Sequence, residues 1–289
     1  MSTPIAAADG AGTVPDRAVL EDKQSRLLAR LAALDSLVIA YSGGVDSAYL
    51  ACAASRAMPG RVLAITADSP SYPRRHREMA EDVARQFQLP HEFIQTSELE
   101  RPEYRANPAN RCYYCKTELY EHLSRLASAR GFQAIADGSN ADDRGDYRPG
   151  RQAAREFGII SPLDEAGLTK AEIRVLAREL GLPTWDEPAS ACLSSRIPYQ
   201  SEVTVAKLSM IERAEDALRQ RGFRVCRVRH HDNLARLELG RDELVRALDP
   251  ELSAAIVADL KAVGYQYVCL DLQGYRTGSL NEILTLRPV

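Results

Sequence analysis

Apolar positions along the chain follow two repeats in turn. In residues 17–34 (RAVLEDKQSRLLARLAAL) they recur at helical spacing, which predicts an amphipathic helix. SLVIAY (36–41) is a short apolar run of strand type that ends in SGG, and VDSAYLACAASRAM (45–58) returns to helical spacing. RVLAITAD (61–68) predicts a second buried strand, Pro73 opens a helix to about Phe87, and HEFIQT (91–96) predicts a third strand. A helix over 112–130 and a fourth strand in FQAIADGSN (132–140) follow. Strands that alternate with helices predict βαβ units, hence an α/β fold with a parallel sheet and helices on both faces. Ligands in such sheets bind beyond the carboxyl ends of the strands, where SGGVDS, TADSPS and DGSNADD fall.

Further along, TKAEIRVLAREL (169–180) predicts a helix with Thr169 and Glu172 as a capping box and Gly181 with Pro183 as its stop. WDEPASACLSSRIPYQ (185–200) is too long and polar for a tight turn and is expected to be a functional loop at a domain junction. The remainder predicts a helix (201–221), two strands (223–229, 234–239), helices (241–263) and a last strand (265–270). The expected organisation is therefore a disordered tail (1–16), a parallel α/β domain (17–200) and a small α+β domain (201–289) for substrate binding or oligomerisation.

Composition narrows the function classes. The net charge of −3 lacks the basic excess of nucleic-acid binders, so no nucleic-acid partner is expected. No apolar run approaches the roughly 20 residues that span a bilayer, and the N-terminus has no basic stretch of signal-peptide type. A cytoplasmic protein is expected, with six cysteines acting as free thiols, ligands or catalytic groups. Cys52, Cys226 and Cys269 lie in helical or strand-like runs and are expected to be buried and inert.

Two constellations carry chemistry. In Ser42-Gly43-Gly44-Val45-Asp46-Ser47, glycines permit close phosphate approach, and successive N–H groups plus a helix N-terminus form an anion site. The hydroxyls of Ser42 and Ser47 can donate to phosphate, and Asp46 can hold Mg²⁺. The Lys of a Walker A loop is missing. The string resembles the PP-loop of ATP pyrophosphatases, which cleave ATP to AMP and PPi. That resemblance implies adenine binding at Thr66 and Ala67 and a phosphate contact near Gly138. The second constellation is Cys112-Tyr113-Tyr114-Cys115 with the distant Cys192. Three thiolates suit a [4Fe–4S] cluster with one iron open to a ligand such as hydrosulfide. A persulfide or sacrificial thiol, and zinc or inert thiols, are the alternatives.

Three further segments, 141–163, PASACLSSR within 185–199, and GFRVCRVRHHDNLARLEL (222–239), resemble the LarE family from about residue 20 to the C-terminus. These are ATP-dependent sulfur transferases of nickel-pincer nucleotide (lactate racemase cofactor) synthesis. The resemblance implies that ATP adenylates a carboxylate of pyridinium-3,5-biscarboxylic acid mononucleotide and that sulfur from the protein, replenished by sulfide or another donor, then displaces AMP. Cys192 matches the cysteine sacrificed in single-cysteine members. Cys112 and Cys115 depart from those members and resemble the three-cysteine, [4Fe–4S] variant. The resemblance also implies a homo-oligomer, up to a hexamer.

Arg227 and Arg229 alternate on one strand face, and with Arg196 they suit a ligand bearing phosphate and carboxylate. Glu215 and Glu238 match acidic positions of the family motif and are candidate ligands of a second metal. Arg148 and Arg151 are candidates for the ATP phosphates. A tRNA thiolase, an amide-forming ligase of the same fold, and a non-catalytic thiol- or metal-binding module are the competing readings.

Overall fold

The computed structural model describes residues 16–145, 149–188, 191–276 and 278–281. The expected disordered tail falls almost wholly outside them. Its elements are α1 Arg17–Ala32, β1 Leu37–Ala40, α2 Val45–Ala57, β2 Val62–Asp68, α3 Arg74–Gln86 and β3 His91–Gln95. They continue with α4 Pro102–Arg105, α5 Arg111–Arg130, β4 Ala134–Ala136, α6 Pro149–Glu156, α7 Pro162–Glu165 and α8 Lys170–Glu179. After the Cys192 segment come α9 Val205–Gln220, β5 Cys226–His231, β6 Leu234–Leu239, α10 Leu244–Ala247, α11 Pro250–Val263 and β7 Tyr267–Leu270.

The first four strands form one parallel sheet in the order β3-β2-β1-β4. A bridge from Ala136 to Ile160 extends it past β4. Both faces are covered, so β1 is apolar and buried throughout. One face packs Leu37 and Ile39 with Leu27, Leu50, Ile173 and Leu176. The other packs Val38 and Ile65 with Tyr120, Leu123 and Ala153. The α/β class expected from the alternating pattern is thus the observed fold.

β5, β6 and β7 form a second sheet, antiparallel between β5 and β6 and parallel between β6 and β7. It buries Val228, Leu237 and Leu239 against Leu218 of α9 and Ile256 and Leu260 of α11. The structure corrects the sequence reading in several places. α6 lies in a stretch given no element, because Pro149 opens a helix too short to display periodicity. α9 begins four residues later than expected. β5 begins three residues later than expected. Cys269, expected to be buried, is exposed: β7 is an edge strand whose alternate residues Tyr267 and Cys269 face outward while Val268 and Leu270 face the core. Among the described residues, no helix is long and apolar enough to cross a membrane.

Candidate active site

The glycine loop leaves β1 at its carboxyl end and becomes the N-terminus of α2. Gly43 adopts φ +69°, and a Cβ there would stand 2.9 Å from Ala80 Cβ, so the turn requires glycine twice over. The loop closes on itself. Ser42 N donates to Ser47 Oγ at 3.1 Å, the two hydroxyls lie 3.1 Å apart, and Ser47 Oγ donates to the Gly44 carbonyl at 3.2 Å. Free N–H groups of the first α2 turn thus open onto the loop, as an anion site requires.

Other strand ends complete the rim. Gly138, after β4, lies so close that an added Cβ would meet Ser47 N at 2.9 Å. Asp137 accepts from Ser139 N at 3.1 Å and Ser161 Oγ at 2.8 Å and thereby fixes that turn. Asp46, in the first turn of α2, takes the Asn140 amide at 3.4 Å and an ion pair from Lys170. Lys170 was not picked out from sequence. It is the first residue of α8, beyond the Thr169 cap and its observed capping box, and only folding brings it to Asp46.

Two expected nucleotide contacts are placed differently. The Thr66 hydroxyl turns inward, donating to the Tyr41 carbonyl at 2.7 Å and contacting His91 Nε2 at 2.8 Å. Ala67, half-buried, stands beside it at the strand end. Arg151 bonds Asp164 at 2.7 Å, where Arg144 also binds, and its Nη1 is buried without a hydrogen-bond partner among the described residues. Arg148 lies outside the described residues.

The cysteines are built on two segments. Cys112 and Cys115 are the second and fifth residues of α5, three residues apart and therefore on one helix face. Cys192 precedes a 3₁₀ turn, Leu193–Arg196. Cys112 is open to solvent, yet enough protein surrounds its sulfur that burial, then the neighbouring Cys192, pushes its thiol up, while Arg111 opposes this. Burial, then Glu98 and Cys192, raises Cys115 as well. The three sulfurs therefore share one neighbourhood. Among the described residues, no three His, Cys, Asp or Glu side chains stand close enough to hold a single metal ion. A four-iron cube holds its thiolates farther apart than a single ion does, and three thiols are the donor set such a cluster would take. Cys52 and Cys226 are buried as expected, and burial pushes their thiols up to about 12 and about 11.

Next to Cys192 lies a buried arginine cluster. Arg196 and Glu215 are each 1% exposed and paired at 2.8 Å. Arg196 Nη1 also donates to the carbonyls of Ala191 at 2.8 Å and Cys192 at 3.0 Å, tying the cysteine turn to the cluster. Arg229 bonds Glu238 at 2.6 Å and the Ser195 carbonyl at 2.8 Å. Arg227 bonds the Cys226 carbonyl at 2.8 Å and lies over the Tyr275 ring. Burial and the Arg196 charge pull Arg227 below the ordinary arginine value. Burial, then the charges of Arg196, Arg75, Arg227 and Arg219, pushes His76 of α3 down to about 3, so it is neutral. Glu215 and Glu238, considered as metal ligands, are here the counter-ions of guanidinium groups: Arg196 and Arg219 hold Glu215, Arg229 and Arg236 hold Glu238. A run of sequence shows carboxylates and arginines but not which ones the strand register pairs.

The cysteine turn also reaches the glycine loop. Leu193 N donates to the Ser71 carbonyl at 2.9 Å, and the next residue, Tyr72, donates its hydroxyl to the Ser42 carbonyl at 3.0 Å. Cys192 thus stands between an anion loop and a cationic cluster.

Residues 28–142 match the asparagine synthase family. A pyridinium-3,5-bisthiocarboxylic acid mononucleotide synthase of Lactiplantibacillus plantarum is 34% identical over 93% of this chain and 97% of its own length. An uncharacterized protein of Synechocystis sp. is 45% identical over 92% of this chain and all of its own length. One of Methanocaldococcus jannaschii is 30% identical over 83% of this chain and 91% of its own length.

Proposed function

The chain belongs to the LarE family of ATP-using sulfur transferases, and on that footing we propose that it converts a carboxylate of pyridinium-3,5-biscarboxylic acid mononucleotide to a thiocarboxylate. The observation that carries this reading is the position of Cys192, hydrogen-bonded through its turn to the arginine cluster on one side and through Ser71 and Tyr72 to the glycine loop on the other.

A carboxylate is a poor electrophile at neutral pH. One substrate carboxylate oxygen attacks the α-phosphorus of ATP held on Ser42, Gly43, Gly44, Ser47 and Gly138, and PPi leaves. Asp46 would hold Mg²⁺, which offsets charge on the departing pyrophosphate, and Lys170 lies beside it for the same purpose. A sulfur nucleophile then attacks the acyl carbon. The C–O bond to AMP breaks, a C–S bond forms, and AMP carries away the bonding pair. Arg227 and Arg229 orient the phosphate and the second carboxylate of the substrate. Arg196, whose nitrogens are taken by Glu215 and the Cys192 turn, serves this site by holding that turn in place. The near-burial of Arg227 and Arg229 strengthens their hold on an anion, because a desolvated guanidinium binds one more strongly than an exposed one does. A [4Fe–4S] cluster bound by Cys112, Cys115 and Cys192 would supply an exchangeable sulfide at its fourth iron. The raised Cys112 and Cys115 thiols favour this over free nucleophilic cysteines, since burial keeps them protonated until a metal binds. The cytoplasm, which keeps thiols reduced, suits such a site, and exposed Val245, Leu248 and Leu272 suit a homo-oligomer.

Anaerobic reconstitution with iron and sulfide, with iron counting, tests the sulfur site. About four irons per chain are expected in the wild type and loss of the cluster in Cys112→Ala. Release of PPi from ATP and the biscarboxylic substrate tests the rest. Asp46→Ala is expected to abolish it, whereas Cys192→Ala releases PPi without forming thiocarboxylate. Normal PPi release by Asp46→Ala, or equal loss in both variants, contradicts these assignments.

A further inference from the structure

A buried polar link joins the two cysteine segments, and no step of the chemistry above uses it. Arg111, the residue before Cys112, is 3% exposed. Its Nη1 donates to the Ser194 carbonyl at 2.9 Å and to the Asn107 side-chain oxygen. Asn107, fully buried, turns its amide onto the Pro198 carbonyl at 2.7 Å and that of Ile197 at 3.3 Å. Its own carbonyl accepts from Gln200 N at 2.9 Å. Tyr104, 1% exposed, shares a 2.7 Å hydrogen bond with Ser194 Oγ.

All the groups on one side belong to residues 104–111, which lead into the CxxC turn. Those on the other belong to residues 194–200, which follow Cys192. Around them Tyr104 packs with Leu193, Ile197 and Cys115, so the link sits in an apolar seam. Burial opposes the Arg111 charge, and the Cys192 and Cys112 sulfurs lead the groups that favour it, which places the guanidinium beside both. An apolar side chain would fill such a seam at less desolvation cost. A buried guanidinium bridging two segments specifies one relative placement, because any slip strands a charge away from its acceptors.

We propose that Arg111 is a positioning residue for sulfur transfer: with Tyr104 and Asn107 it latches the Cys192 turn onto the start of α5, so that Cys112, Cys115 and Cys192 converge on one cluster-sized site. The proposal rests on the three-cysteine reading of the sulfur site. It goes further in assigning that convergence to a group that is neither a ligand nor a reactant.

Anaerobic cluster reconstitution tests it, since a [4Fe–4S] cube takes three thiolates held farther apart than a single ion would allow. The reduced full-length protein is loaded with iron and sulfide, and the rate at which a chelator then strips the cluster is followed by its absorbance and by iron counting. Wild type is expected to keep its cluster about tenfold or more longer than Cys192→Ala, because the third thiolate acts as an intramolecular ligand. Arg111→Gln, measured below its own melting temperature, is expected to fall to the Cys192→Ala level. A residue that only stabilises the fold would lower the melting temperature and leave the stripping rate of the folded protein at the wild-type value; that result overturns the proposal. Should Arg111→Gln fail to fold, Tyr104→Phe decides, as it removes only one hydroxyl: about threefold faster stripping supports the latch and an unchanged rate overturns it. If Cys192→Ala keeps its cluster as long as wild type, the third thiol is not a ligand, and the three-cysteine reading itself falls along with the latch.

Discussion

Glu215 is a buried carboxylate held by two guanidinium groups, so its removal should be costly. Its Oε1 accepts from Arg196 Nε at 2.8 Å and Val228 N at 3.2 Å, and its Oε2 from Arg196 Nη2 at 3.1 Å and Arg219 Nη2 at 2.8 Å. Glu215→Gln keeps the shape but turns one acceptor into a donor facing a guanidinium. It also leaves buried Arg196 and half-buried Arg219 beside Arg227 with no central anion. Removing one partner of a buried pair costs about 3–5 kcal/mol. At roughly 2–4 °C per kcal/mol for a chain of this size, the melting temperature should fall by about 10 °C. Glu179→Gln, which removes one partner of the exposed Arg17 pair, is the control and should shift it little. The pH dependence carries a second signature. Burial opposes ionisation of Glu215, but Arg196 and its neighbours overcome this and hold the carboxyl at about 2, below its ordinary 4.5. A depressed pKa stabilises the fold fully above 4.5, and that stabilisation is lost as pH falls toward 2. Thermal melts followed by circular dichroism from pH 7 to pH 2 should therefore show the gap between wild type and Glu215→Gln narrowing below pH 4.5. A shift under about 2 °C at pH 7, or a gap constant with pH, would refute the claim that this pair is a buried keystone of the arginine cluster.

Other expectations follow from single contacts. Gly138→Ala should lower PPi release by about tenfold or more while the protein stays folded, because the new methyl displaces the α2 N-terminus. Lys170→Met should weaken ATP binding, read by calorimetry, by about tenfold, the worth of one charge-assisted contact. Thr169→Ala removes the cap of α8 and should cost about 1 kcal/mol, a fall of roughly 2–4 °C in melting temperature. Under native conditions maleimide should label Cys269 and Cys112 by mass spectrometry, and Cys52 and Cys226 only after unfolding.

Much of this molecule is legible along the chain because its determinants are local. A two-sided sheet leaves apolar runs such as LVIA, turns need glycine at fixed places, and a capping box spans four residues. The α/β class, the glycine loop and most elements follow from those signals, and the CxxC pair is visible because two thiols three residues apart share one helix face. What folding alone decided depends on residues far apart in sequence. Lys170 reaches Asp46 only when α8 packs against α2. Arg196 and Glu215 meet because the Cys192 turn lies on α9, which makes Glu215 a counter-ion and no ordinary surface carboxylate. Strand register, unmarked in composition, sets Arg227 opposite Glu238 and Arg229 opposite Arg236, which brings Arg229 diagonally onto Glu238, and sheet order leaves Cys269 on an open edge. Arg111 reads as an ordinary surface arginine until the seam closes over it. Charge and burial act through space, and the positions of opposing groups exist only once the chain has folded.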